Sequence, residues 1–125
     1  MMRFGQPSNS NPRRGTIIKA RLDPIEGSEQ GGVRPVLVIS SDDINDHSTV
    51  IIVVAITSKK TDRIYPFEVL LEESESGLHL RSKVMLLHLR TIDKQRITGY
   101  YGSLTNETML KVEEALRIAT ALRKI

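Results

Sequence analysis

The chain reads as a mainly β domain: a small, strongly curved sheet or partly open barrel with one C-terminal helix. Three observations predict this. Short runs dense in β-branched residues recur along the middle of the chain, separated by polar turns rich in Gly, Asp, Asn and Ser. One stretch, at the C-terminus, repeats its apolar residues at helical spacing. The 125 residues, 39% of them hydrophobic, suffice for one core without staples, and no internal repeat divides them.

Taken in order, residues 1–13 form a flexible polar tail, rich in Asn, Ser, Pro and Gln, and residues 14–125 a single domain. Thr16 to Leu22 is β-prone, with Ile18, Ala20 and Leu22 on one face and Lys19 and Arg21 on the other. Asp23-Pro24 ends it, because proline lacks a donor and restricts the residue before it. Pro35 to Ser40 is a short apolar strand buried on both faces, and Ser41 to Ser48 is turn chemistry with room for one helical turn. Thr49 to Thr57, TVIIVVAIT, reads as a central strand. Another strand covers Pro66 to Leu71, with proline at its tolerated first position, and Glu72 to Gly77 is an acidic turn. Val84 to Leu89 is apolar again, Arg90 to Arg96 polar, and Ile97 to Leu104 holds a last strand. Thr105 caps the helix, and Met109, Val112, Leu116, Ala119 and Leu122 form its buried face.

Composition narrows the function. There is no cysteine, so disulfides and thiolate metal sites are excluded. The histidines His47, His79 and His88 lack ligand spacing, so no metal is expected, and no phosphate-binding loop, nucleophile elbow or dinucleotide fingerprint is present. No run is long enough to span a membrane and the N-terminus lacks the apolar core of a signal peptide, which makes a cytoplasmic location the expectation. A net charge of +3 and a pI of about 9.4 fit a polyanionic partner. With two Phe, three Tyr and no Trp, binding mainly by stacking bases on aromatic platforms is disfavoured.

One stretch carries the chemistry. Gly27-Ser28-Glu29-Gln30-Gly31-Gly32-Val33-Arg34-Pro35 leads into the apolar run that follows, and its glycines allow close approach of another molecule to the main chain. If this strand pairs antiparallel with Thr49 to Thr57, its start lies beside the other's end, and Arg34 and Thr57 converge at one rim. Guanidinium matches phosphate oxygens bidentately, while the hydroxyls of Thr57 and Ser58 can donate or accept. Taken singly, each residue has a commoner explanation. Arg34 would be a solvated charge, Thr57 merely β-prone, Lys59, Lys60 and Arg63 a solvated loop, and His88 a half-buried structural histidine. Glu72, Glu73 and Glu75 read as solvated as well.

Several motifs together change that weighting. The segment Gly27 to Pro35, the pair Ile56-Thr57, Tyr65-Pro66-Phe67-Glu68-Val69 and Leu89-Arg90-Thr91-Ile92-Asp93-Lys94-Gln95-Arg96 stand in one order at compatible spacing. From about Arg14 to the end, the chain resembles the MazF/PemK family of toxin endoribonucleases. The resemblance implies an SH3-like barrel of the MazF/PemK/CcdB toxin type, a homodimer, a cognate MazE-like antitoxin, and metal-independent cleavage of single-stranded RNA without a cofactor. It implies Arg34 and Thr57 as the catalytic pair, with Ser28, Gln30, Gly31, Ser58, Tyr65, Ser82 and His88 as RNA contacts. Glu29 is a reserve candidate for a base or for orienting Arg34, and its alternative role is to pin the loop by accepting backbone N–H bonds. In another branch of the family the catalytic groups are a loop histidine and an Arg/Asp pair; Ser28, Met85 and Leu87 stand there instead. Leu87, His88 and Arg81 also depart from the common pattern, so no relative's cleavage sequence carries over. The alternatives are a non-catalytic barrel that poisons a protein such as gyrase, and a catalytically decayed homologue.

Overall fold

The computed structural model describes residues 11–22 and 32–123. The loop residues Ser28, Glu29, Gln30 and Gly31 therefore lie outside the described residues. Six strands form one sheet: β1 (Thr16–Leu22), β2 (Gly32–Val38), β3 (Val50–Thr57), β4 (Glu68–Leu71), β5 (Ser82–Asp93) and β6 (Ile97–Ser103). Their order is β4-β5-β3-β2-β1-β6, and every neighbouring pair is antiparallel. Helices α1 (Asp42–His47), α2 (Glu73–Ser76) and α3 (Asn106–Thr120) complete it.

Burial on both faces explains the apolar density of the central strands. One core gathers Ile17, Leu37, Val54, Ile56, Val84 and Leu86 beneath Met109, Val112 and Ala115 of α3. The opposite face buries Ile18, Ala20, Val36, Val38, Ile51, Val53 and Ile92. β1 thus departs from simple alternation. Ile18 and Ala20 share a face as expected, but Ile17 is fully buried in the other core.

β5 is longer than its apolar run implies. It continues as strand through Arg90–Asp93, and only Lys94–Arg96 leave it, in a single 3₁₀ turn. Its pairing with β3 jumps from Val54 opposite Leu89 to Ala55 opposite Met85, so Leu86, Leu87 and His88 are extra residues on the β5 side. Such a bulge bends a strand and sharpens its twist, which helps the sheet curl. β4 is shorter than expected, because Pro66 and Phe67 lie in a turn closed by the Glu68 N–H donating to the Tyr65 carbonyl at 2.8 Å. β2 begins earlier, at Gly32, with Pro35 inside it opposite Lys19 of β1.

The capping expectation for α3 holds: the Thr105 hydroxyl accepts from the Thr108 N–H at 3.1 Å, and Glu107 sits in the first turn. Leu122 does not join the buried face. The helix stops at Thr120, Ala121 takes a left-handed conformation with φ 57°, and Leu122 is 58% exposed. The acidic turn is the short α2, where Glu75 also accepts from the Thr108 hydroxyl at 2.9 Å and ties α2 to α3.

Gly77 ends α2 at φ 76°, and a Cβ there would stand 2.2 Å from the Tyr101 carbonyl oxygen of β6. Gly77→Ala therefore combines backbone strain with a main-chain clash and should destabilise the fold by about 2–4 kcal/mol. Urea denaturation measures this, and an unchanged midpoint would contradict the close approach of α2 to β6.

Candidate active site

β2 and β3 pair through Val38–Val53, Leu37–Val54 and Val36–Ala55, where the ladder ends. Pro35 comes next and has no N–H to add to a ladder. Continued by two residues, the same register sets Arg34 against Thr57. Both follow the side-chain parity of Val36, Val38 and Val53, so both belong to the sheet face away from α3. There they line one groove of about 540 Å³. Lys59, Met85, His88 and Arg90 line it too, with Leu22 and Leu89 among its apolar surfaces.

The electrostatics of this groove are one-sided. Arg34, Lys59 and Arg90 bring cations to it, and no carboxylate stands among its described lining residues. Such a surface favours an extended anion over a neutral or cationic ligand. The Thr57 hydroxyl accepts a hydrogen bond from the Lys59 N–H at 3.1 Å, which leaves its own proton free to be donated.

A buried ion pair supports this wall. Lys83, directly opposite Thr57 in the β3–β5 register, is 5% exposed. Its ammonium donates to Glu68 Oε1 at 2.9 Å and to the Arg63 carbonyl at 3.1 Å. Glu68 Oε1 also accepts from the Tyr65 N–H at 3.1 Å. The pair thus joins β4, β5 and the loop between Ser58 and Phe67. Burial by itself would raise the Glu68 pKa. The Tyr65 N–H, then the hydrogen bond and charge of Lys83, and finally the charge of His88 outweigh it and hold the carboxyl below its ordinary value.

The other sequence-predicted residues distribute unevenly. His88 is exposed at the groove, not half-buried as its apolar neighbours imply. Ser58 is exposed on the turn after β3. Tyr65 is 43% exposed but stacks on Phe67 with centroids 5.4 Å apart, and its hydroxyl accepts from Arg63 Nη1 at 3.2 Å; it is not among the groove's lining residues. Ser82 is 3% exposed and donates to the Leu80 carbonyl at 2.8 Å, so it does not reach the groove. Arg81 pairs with Glu72 at 3.3 Å on the surface. Sequence reasoning left Arg90 unassigned, read Lys59 as solvated loop, and missed Lys83. A lone lysine at an inward position of an apolar strand, matched by a glutamate in the preceding strand, is the signal for the last. Among the described residues, no group of three His, Asp or Glu side chains stands close enough to hold a metal ion.

The described fold is thus a curled six-stranded antiparallel sheet with a terminal helix, and its groove is lined by cations. Residues 13–120 match the model of the PemK-like, MazF-like toxins of type II toxin-antitoxin systems, and the chain belongs to that family. It is similar to endoribonuclease EndoA of Bacillus subtilis (strain 168), 46% identical over 110 residues that span 88% of this chain and 95% of EndoA. Its fold matches a mycobacterial endoribonuclease solved in complex with its cognate antitoxin, at TM-score 0.75 and 25% identity, over 91% of this chain and 99% of that one. It also matches MazF in a MazE–MazF crystal structure from Deinococcus radiodurans, at TM-score 0.75 and 26% identity, over 92% and 100% of the two chains.

The ion pair makes a stability prediction. Glu68→Ala leaves a buried ammonium without its carboxylate and should cost about 3–5 kcal/mol, whereas the double change Glu68→Leu with Lys83→Met should cost much less. Because the folded-state pKa of Glu68 lies below the unfolded one, the unfolded chain binds more protons between the two. Its stabilisation is complete above the ordinary glutamate value and is lost as pH falls through the folded value. Urea midpoints between pH 6 and pH 3, acidic conditions chosen to bracket that window, should fall less steeply in the double variant than in wild type. Equal slopes would contradict the pairing.

Proposed function

We propose that this chain is a sequence-specific endoribonuclease toxin that cleaves single-stranded RNA, using Arg34 and Thr57, and so inhibits translation and growth. The observation that carries the reading is the shared groove of Arg34 and Thr57, lined by cations and by no described carboxylate. Membership of the toxin family and the similarity to EndoA supply the substrate class.

RNA brings its own nucleophile. The 2′-oxygen attacks the adjacent phosphorus, the bond from phosphorus to the 5′-oxygen breaks, and the ends left are a 2′,3′-cyclic phosphate and a 5′-hydroxyl. No metal or cofactor is required for that balance. The guanidinium of Arg34 neutralises the charge that builds on the non-bridging oxygens. It is a stabiliser and not a proton donor, because a guanidinium holds its proton too tightly to give it up near neutral pH. Thr57, its lone pair engaged by the Lys59 N–H, donates its hydroxyl proton to a phosphate oxygen and orients the group. Glu29, outside the described residues, is the remaining candidate for a base or for orienting Arg34, its alternative role being to pin the loop. The molecule acts as a homodimer, and a MazE-like antitoxin covers the groove; the antitoxin-bound mycobacterial and Deinococcus structures support that partner.

Arg34→Ala should abolish cleavage of a mixed-sequence RNA while leaving thermal stability within a few degrees of wild type. Thr57→Ala should lose most activity and Thr57→Ser should retain more; equal losses would assign Thr57 to packing instead. Sequencing the product ends reads both the cleaved motif and the chemistry. Activity should persist in excess EDTA, and restoration only by a divalent ion would refute the metal-free scheme. Intact RNA across many sequences would instead favour the gyrase-poison type of binder or a decayed toxin.

A further inference from the structure

The scheme above needs a group that takes the proton from the 2′-hydroxyl, and the described groove holds one side chain suited to it. We infer that His88 is the general base of the reaction, an inference that rests on the endoribonuclease reading of the same groove.

The first argument is placement. His88 is the last of the extra residues that the β3–β5 register inserts into β5. The first, Leu86, turns into the core at 2% exposure, and its N–H donates to the Phe67 carbonyl at 3.2 Å. Leu87 is thrown outward at 61% exposure. His88 then lines the groove with Arg34 and Thr57, exposed to whatever enters it. A bulge that re-aims one side chain into a cleft is a common device beside active sites.

The second argument is elimination. Arg34, Arg90 and Lys59 are cations and cannot accept a proton at neutral pH. The Thr57 hydroxyl is too weak a base to take this proton unaided, and it already accepts from the Lys59 N–H. Glu68, the carboxylate whose charge interaction with His88 helps set its own pKa, has a side chain only 9% exposed and accepts from both Lys83 and the Tyr65 N–H. Among the described lining residues, His88 alone belongs to the class of side chain that exchanges a proton near neutrality. The charged groups around it are Arg34 from β2, Lys59 from the turn after β3, Arg90 on β5, and Glu68 with its partner Lys83 across β4 and β5.

The step balances simply. Neutral imidazole removes the 2′-hydroxyl proton as the 2′-oxygen bonds to phosphorus; the 5′-oxygen leaves with the electrons of its bond to phosphorus and is protonated from water. Arg34 and Thr57 hold the phosphate throughout.

The test uses the full chain and an RNA oligonucleotide carrying the site mapped from mixed-sequence RNA. Single-turnover rates of wild type should climb through the range in which imidazoles titrate, about pH 5.5 to 7.5, and then level off. His88→Gln should be slower by about 100-fold or more on that plateau, lose the imidazole limb, and bind a 2′-deoxy analogue within about threefold of wild type, a margin small beside a tenfold step of about 1.4 kcal/mol. Added imidazole should partly restore His88→Ala. A substrate with sulfur in place of the 5′-bridging oxygen should not rescue His88→Gln, since a thiolate leaves without a proton and only a lost acid is thereby bypassed. A His88→Gln enzyme with wild-type rate and pH profile would overturn the inference, and so would rescue by sulfur or a rate loss matched by lost RNA affinity. Loss of the limb in Glu29→Gln, with the limb kept in His88→Gln, would overturn it in favour of the loop carboxylate. If wild type cuts no RNA, or Arg34→Ala remains active, the endoribonuclease reading itself has failed; an inactive Arg34→Ala beside a fully active His88→Gln sinks only the role of His88.

Discussion

The end of the β2–β3 ladder is the constraint on which the site depends. Three residue pairs, from Val38–Val53 to Val36–Ala55, lock the strands in register, and an apolar face on each side of the sheet makes a slip expensive. A one-residue shift would exchange the two faces of β3 and turn Val53 from one core into the other. Pro35 then withholds the next donor, and the strands are free to part just where Arg34 and Thr57 follow. The groove is thus a consequence of how a ladder stops, and Arg34 and Thr57 inherit their positions from strands packed between two cores.

The same logic governs the opposite wall. β5 must both continue the sheet and bend, and the bulge at Leu86–His88 does both. The buried Lys83–Glu68 pair then fastens the shoulder formed by β4 and the loop after β3. Burying an ammonium is unfavourable unless its partners are well placed. Here a carboxylate and a main-chain carbonyl accept from it, and the pair lies against the strand position next to Thr57. Cations exposed in the groove and charges neutralised behind it give a surface that attracts a polyanion, and among the described residues no buried side-chain polar atom is left without a partner.

Much of this was legible in the sequence, for identifiable reasons. Local signals carried β1, β3, β6 and the capped start of α3, and an antiparallel pairing of β2 with β3, which the sequence allows without requiring, is what brings Arg34 and Thr57 to one rim. What escaped depends on contacts distant in sequence. Arg90 to Asp93 look like loop because they are polar, yet pairing with Val50 to Val53 makes them strand. Ile17 hides in an alternating pattern because alternation describes a sheet with one wet face, and this strand has none at its start. Leu122 fits the helical period but falls beyond a left-handed residue that ends the helix. Lys83 and Glu68 recognise each other only after β4 folds onto β5, and His88 reaches the groove only because of the bulge.

The central claim is that this groove directs an RNA ribose against its own phosphate. It is tested most directly by one atom of the substrate. An oligonucleotide carrying the mapped site should be cut when ribose stands at the scissile nucleotide and remain intact when only that 2′-hydroxyl is replaced by hydrogen. Cleavage of the 2′-deoxy substrate at the same bond would mean that water or a protein group is the nucleophile, and would contradict the account.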